Sequence, residues 1–278
     1  MKPARRRVLQ AAGAALLAAP LRARAQAFDA SHAAWTALLG RHVVLLRGGQ
    51  ASVVGSQVRY AGFAADRAPL KAYLDALSAV PEATFRGWGP AARQAFLINA
   101  YNAFTVELIL TKYPALKSIK ELGSLLSSPW KPKWVPLLGG RLSLDDIEHG
   151  LLRARGVYDE PRVHFAVNCA SVGCPMLREE AFTAERLPAQ LQQQAERFMA
   201  DRTRNRWNAA RGRLELSKIF DWYGEDFALG HQGIRSLKAF AGQHAERLAD
   251  APADRERLRA GGFDIAFLDY DWALNDAR

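Results

Sequence analysis

The apolar positions of this chain change period along its length, and the changes divide it into elements. Trp35, Leu38 and Leu39 fall on one side of a short helix over residues 28–40. Val43 to Leu46, a Gly48-Gly49 turn and an alternation through Val53, Val54, Val58 and Tyr60 predict strand, turn and strand. Asp66 stands where it can cap a helix that runs through Leu77 and ends before Pro81. Gly89-Pro90 opens the longest helical pattern. Between Ala91 and Lys112 the residues Phe96, Leu97, Tyr101, Phe104, Leu108 and Ile109 recur at helical spacing, and Tyr113-Pro114 closes it.

Residues 115–136 carry no period, only Pro129, Pro132 and Pro136 around Trp130 and Trp134. Leu137-Leu138-Gly139-Gly140-Arg141-Leu142 reads as a tight hairpin. Ser143 and Asp146 then have capping-box spacing at the start of a helix that carries Ile147, Glu148, His149, Leu151 and Leu152. Arg162 to Val167 predicts a short buried strand, running into a turn from Asn168 to Pro175. A second long amphipathic helix covers 184–200, Leu214-Glu215-Leu216 a strand, 217–260 short helices and Phe263 to Asp269 a last strand. No repeat or linker divides residues 28–278. The expected fold is therefore α+β: a helix-rich single domain with a small, mainly antiparallel sheet, for which a papain-like or permuted papain-like arrangement is one candidate.

The first 25 residues do not fit that domain. Lys2, Arg5, Arg6 and Arg7 precede an Ala/Leu-rich stretch from Val8 to Leu21, and Ala23-Arg24-Ala25 supplies a small-x-small cleavage pattern. This predicts a cleavable signal segment over 1–25, cut after Ala25 or Ala27, and a periplasmic or secreted mature protein. Arg5-Arg6-Arg7-Val8-Leu9 also matches a twin-arginine signal. The signal holds six of the 38 Lys and Arg and no acid, so 32 basic residues face 28 acidic ones beyond it, a balance of +4. That is ordinary for a soluble domain and gives no footprint for nucleic acid. No later stretch approaches eighteen uninterrupted apolar residues, so the mature chain is not expected to span a membrane.

Chemistry concentrates between His164 and Cys174, where a His, an Asn, a Ser and the chain's two Cys fall within eleven residues. A thiol is a useful nucleophile only where a base or a positive environment favours thiolate. His149 and His164 are the candidate bases, with Glu148, Asp145, Asp146 or Asp271 available to orient an imidazole. Glu148 and His149 are adjacent on a helix and would cooperate only if both reach one pocket. Asn99 and Asn102 share a helical face, which either caps neighbouring backbone or lines a polar pocket. Trp130, Trp134 and Trp222 offer an aromatic wall or simply pack. The run Arg202, Arg204 and Arg206 reads as a solvated helix end.

Five segments of this chain resemble the family of domains of unknown function numbered DUF547. They are Ala95 to Ala103 (AFLINAYNA), Leu144 to Gly150 (LDDIEHG), Pro161 to Ser171 (PRVHFAVNCAS), Gly173 to Leu177 (GCPML) and Tyr270 to Asn275 (YDWALN). The resemblance brings no activity with it. It implies that Asn99, Asn102, Glu148, His149, Arg162, His164, Cys169 and Cys174 fall in the family's signature segments.

Three functional readings remain open. In the first, Cys169 is the nucleophile of a hydrolase or transferase acting on an amide or ester of the cell envelope, a cell-wall peptide or a small metabolite. His149, Glu148 and His164 then supply catalysis, and Asn99, Asn102, Arg162, Asn168 and Ser171 contact substrate. In the second, a Cys169–Cys174 disulfide staples a loop and the pocket is a non-catalytic ligand-binding module. In the third, His149, His164, Cys169 and Cys174 hold a metal. Zinc or copper would suit those donors, although the spacing is none of the common zinc patterns and no cofactor is otherwise expected.

Overall fold

The computed structural model describes residues 28–49, 52–124 and 127–277, so the expected signal over 1–25 lies outside the described residues. Helix α5 (Pro90–Leu110) is the axis of the molecule. Proline at its first turn needs no amide partner, and the run that follows is buried on nearly every side, polar residues included. Around it pack α1 (Ala33–His42), α2 (Tyr60–Ala65), α3 (Arg67–Ser78) and α4 (Glu82–Gly87). Strands β1 (Val43–Arg47) and β2 (Val53–Val58) pair antiparallel beside them. Phe28, Phe85 and Trp88 ring Phe96 at 5.4–5.6 Å, so α5 is held chiefly by aromatic burial.

A second hydrophobic cluster forms on the far side of α6 (Leu187–Ala200). It contains Trp207, Leu214, Phe220, Phe227, Phe240, Leu258 and Phe263. Its sheet is β5 (Arg206–Asn208) antiparallel to β6 (Arg213–Leu216), with β7 (Asp264–Phe267) added parallel to β6. Helices α7 (Ile219–Trp222), α8 (Leu237–Gln243), α9 (Ala245–Leu248) and α10 (Pro252–Ala260) cover it. Phe165 belongs to this second cluster, while its neighbours Val163, Ala166 and Val167 belong to the first. The two clusters therefore meet along the 161–175 segment, and the fold is α+β, with three small sheets, mostly antiparallel, among the described residues.

Several local expectations hold. β3 (Val135–Leu137) and β4 (Gly140–Leu142) form the hairpin, turning on Leu138 and Gly139, both at positive φ. The capping box is reciprocal: the Ser143 amide donates to Asp146 Oδ2 at 2.9 Å, and the Asp146 amide donates to Ser143 Oγ at 2.9 Å. Others need correction. Tyr60 begins α2 instead of ending a strand. Asp66 precedes α3 without capping it, because its carboxylate is taken by His42 Nε2 at 2.8 Å and Arg41 at 3.2 Å. Residues 161–165 form a 3-10 turn and not a strand: Pro161 opens it, and Glu160 accepts from the Arg162 amide as its cap.

Candidate active site

One cleft of about 250 Å³ opens on the seam between the two clusters. Its lining brings together Cys169, Cys174, Glu148, His149 and His164 with a set of aromatic residues.

The turn from Asn168 to Cys174 is held from several directions. Asn102 on α5 donates to the Ala166 carbonyl at 2.9 Å and accepts from the Asn168 amide at 2.8 Å. Asn168 donates to the Pro175 carbonyl at 2.7 Å and accepts from the Ala170 amide at 3.0 Å, which places Ala170 at a positive φ of 66°. Gly173 lies against the returning 270–273 segment so closely that a Cβ there would meet the Asp271 backbone at 3.0 Å. Arg204, ion-paired with Asp201, donates to the Cys174 carbonyl. The arginine run after α6 is thus structural: Arg206 pairs with Glu215 and Arg202 with Asp250.

Both thiols are free, which corrects the disulfide expectation. Cys174 Sγ accepts a hydrogen bond from the Cys169 amide at 2.9 Å, while Cys169 Sγ turns to the hydroxyls of Ser171 and Tyr270, each at 3.1 Å. Those hydroxyls lie 2.9 Å apart, closing a triangle on the sulfur. Burial opposes ionisation of Cys169, but hydrogen bonds from Cys174, Ser171 and Tyr270 outweigh it and hold its pKa below the usual thiol value. Burial pushes the Cys174 thiol well up. Of the two, Cys169 is the thiol held toward ionisation. It sits in a turn and not at a helix N-terminus, so hydroxyl donors stand where papain-like enzymes use a helix dipole.

The two histidines divide their work. The 146–152 turn is π-helical, with the Arg153 amide bonded to the Glu148 carbonyl, and this wider turn sends both Glu148 and His149 into the cleft lining. Arg153 Nη1 lies 2.6 Å from His149 Nδ1, and a guanidinium can only donate, so that nitrogen carries the imidazole's lone pair. Nε2 is then the protonated one, directed to Asp145 at 3.5 Å. His149 has no free lone pair to act as a base. His164 differs: its Nε2 meets Asp226 Oδ2 at 2.7 Å and its ring stacks on Tyr223 at 4.1 Å. Asp226 also accepts from Arg153 Nε at 2.7 Å. Although burial opposes it, those two partners hold the Asp226 carboxyl well below the usual range, so it is the acceptor and His164 the donor. That leaves Nδ1 as the basic nitrogen of His164, and burial lowers the His164 pKa, keeping the ring neutral near pH 7.

Glu148 is buried between Tyr101 and Tyr223. Burial, then the Glu148 charge, raises the pKa of both phenols. The same cleft is lined by a wall of Trp130, Trp222, Tyr270 and Trp272 with ring centroids 4.5–6.1 Å apart. Trp134 instead packs on Phe104. None of the five residues named from the sequence as substrate contacts is among the lining residues of the cleft. Asn99 donates to the Phe182 carbonyl at 2.7 Å and accepts its amide at 3.0 Å. Asn102 is bound to the loop backbone as described. Arg162 is buried against Glu160 at 2.6 Å, outside the cleft. Asn168 shapes the turn, and Ser171 touches the sulfur.

The metal expectation is also corrected. Among the described residues no group of three His, Cys, Asp or Glu converges as a metal site, since the four proposed donors are spent on separate partners. Among those residues no helix is long and apolar enough to cross a membrane.

The family model described as "Protein of unknown function, DUF547" matches residues 85–199. Residues 85–199 are therefore similar to the DUF547 family. No curated protein and no solved structure matches it. The DUF547 segment supplies Cys169, Glu148, His149 and His164, but Trp222, Tyr223, Asp226, Tyr270 and Trp272 come from beyond its end. Asp226 and Tyr270 were not singled out as site residues by sequence. Tyr270 did fall in a segment carrying the DUF547 resemblance, and that was its only signal.

Proposed function

We propose that this cleft is the active site of a cysteine-dependent hydrolase or transferase acting on an amide or ester bond. The observation that carries the reading is a free Cys169 thiol in the same cleft as an imidazole already oriented by a carboxylate, His164 on Asp226. Cys169 Sγ attacks the substrate carbonyl carbon, and the thiol proton passes to His164 Nδ1. The hydroxyls of Tyr270 and Ser171 stabilise charge at the reacting centre. His164 then protonates the leaving amine or alcohol as its bond to the carbonyl breaks. Water or an acceptor alcohol or amine cleaves the thioester and returns the thiol. No hydrogen bond joins Cys169 to an imidazole in the unliganded cleft, so bound substrate or one water must complete the path.

The start of the chain supports a periplasmic or secreted site of action, checked by fractionating producing cells and sequencing the mature N-terminus. The chemical test is alkylation by iodoacetamide read separately at each cysteine. Rapid labelling of Cys169 below the ordinary thiol range, abolished in Cys169→Ala, is expected. Labelling of neither thiol until reduction would establish a disulfide and overturn the reading. The four-ring wall favours a second reading, a ligand-binding module, in which Cys169→Ala leaves ligand affinity unchanged and no acyl-enzyme forms.

A further inference from the structure

The charge of the cleft is one-sided. Asp145 and Glu148 are its acids, and no Lys or Arg is among its lining residues. Arg153 is committed to Asp226 and His149, lies over Tyr223 at 4.6 Å and also feels the Glu148 charge. His149 and His164 are neutral in the arrangement described. Glu148 has two phenolic neighbours, yet a carboxylate offers about four acceptor positions, so acceptor capacity remains for a ligand. The cleft's other lining is largely aromatic, and Trp222 is 43 % exposed, a large fraction for the largest apolar side chain. One wall ring already holds an ammonium: Lys120 Nζ lies 4.9 Å from the Trp272 centroid.

Two carboxylates sharing a cleft with an exposed indole and half-buried indole and phenol rings are the chemistry that recognises an organic cation. Arg153 offsets only part of the acidic charge of Asp145 and Glu148, and neutral or anionic ligands would add nothing to it in a desolvated site, which disfavours them. We infer that the substrate carries an alkylammonium group, bound between Glu148 and the Trp130–Trp222–Trp272 wall while its carbonyl lies at Cys169. This inference rests on the catalytic reading for its second half only. Cation binding itself requires no turnover.

The test uses the mature full-length protein with Cys169→Ala, titrated calorimetrically with choline and with n-butylammonium. The neutral counterparts 3,3-dimethyl-1-butanol and n-butanol are titrated in parallel. At least one cation should bind ten-fold or more tightly than its counterpart, and Glu148→Gln should remove that preference while keeping the side chain's shape. Thermal melts of Glu148→Gln confirm that it folds; should it not, Asp145→Asn with Trp222→Ala replaces it, with loss of the preference again expected. Equal binding of cation and counterpart, or a preference that survives both sets of substitutions, would overturn the inference. Alkylation of wild-type Cys169 is measured in the same preparation. A reactive Cys169 without cation preference removes the substrate class alone, whereas cation preference with an inert Cys169 removes the catalytic reading alone.

Discussion

Replacing Tyr270 by Phe deletes one oxygen from the triangle that holds Cys169. That hydroxyl lies 3.1 Å from the sulfur and 2.9 Å from Ser171 Oγ. The ring itself stays anchored, with Trp272 at 4.5 Å and Trp222 at 4.9 Å, and phenylalanine keeps both contacts. Burial, the largest influence on Cys169, opposes the thiolate and is unchanged by the substitution. Nothing therefore compensates the lost donor. A hydrogen bond to a charged group contributes about 1.5–3 kcal/mol. At about 1.4 kcal/mol per factor of ten, the thiolate fraction near pH 7 should fall roughly 10- to 100-fold. The assay is the rate of iodoacetamide labelling from pH 5 to 10, resolved by mass spectrometry of the Cys169 peptide. Cys174, whose thiol is pushed up by burial, serves as the slow internal reference. A folded Tyr270→Phe protein whose Cys169 rate at pH 7 stays within about two-fold of wild type would refute the assignment of Tyr270 as a thiolate donor, since even the weakest bond considered is worth more.

Asp226→Asn should cost about 2 kcal/mol in urea unfolding, because Arg153 and His164 lose a charged acceptor. It should also scramble the His164 tautomer seen by nitrogen NMR, and a wild-type tautomer in the variant would end the orienting role. Asn99→Ala should destabilise by about 2–4 kcal/mol, since the Phe182 amide and carbonyl are both left buried without partners, while Cys169 labelling is unchanged. Burial pushes His32 and His244 down to about 4. The unfolded chain binds protons at these sites near the ordinary imidazole value of about 6.5, so stability is full above that pH and falls as pH drops toward about 4. His244→Phe should flatten the slope of Tm against pH in that window, and an unaltered slope would count against it.

What could be read from the sequence is what local spacing carries. The Ser143–Asp146 box needs only a three-residue interval, and its reciprocal bonds form as that interval requires. Gly139 at a two-residue turn marked the hairpin, and the Pro90 start marked α5. The 161–165 segment was misread because a short, apolar, fully buried run has no exposed face to reveal its period. The better signal was Pro161 preceded by Glu160, a first-turn proline after a capping carboxylate. Glu148 and His149 were rightly doubted as neighbours on an α-helix; they share the cleft because the turn there is π-helical. The two partners that decide the chemistry lie far from the motif. Asp226 is 62 residues from His164, and Tyr270 is 101 residues from Cys169, so no spacing rule links them.

Those distances explain why the site sits on a seam. The DUF547 segment brings the thiol, the imidazoles and Glu148, but Cys169, His164 and Glu148 each take a neighbour from beyond residue 199. Asp226 comes from the second hydrophobic cluster, and Tyr270 from a strap that returns across both clusters. The strap is tied at several points to the first cluster. The Leu274 amide donates to the Lys117 carbonyl at 2.7 Å, the Val58 amide to the Asn275 carbonyl at 2.9 Å, and the Asn275 amide to the Ala170 carbonyl at 3.1 Å. Tyr60 donates to Asn275 Oδ1 at 2.8 Å from within the buried core. The last of those backbone bonds ends on the residue that follows Cys169. A donor delivered by a strap is only as well placed as the strap, and this one is fixed at both the N-terminal hairpin and the cysteine turn. The geometry at Cys169 therefore depends on the packing of the two clusters against each other more than on the DUF547 segment alone. Substitutions that loosen that contact should silence the thiol before they unfold the chain.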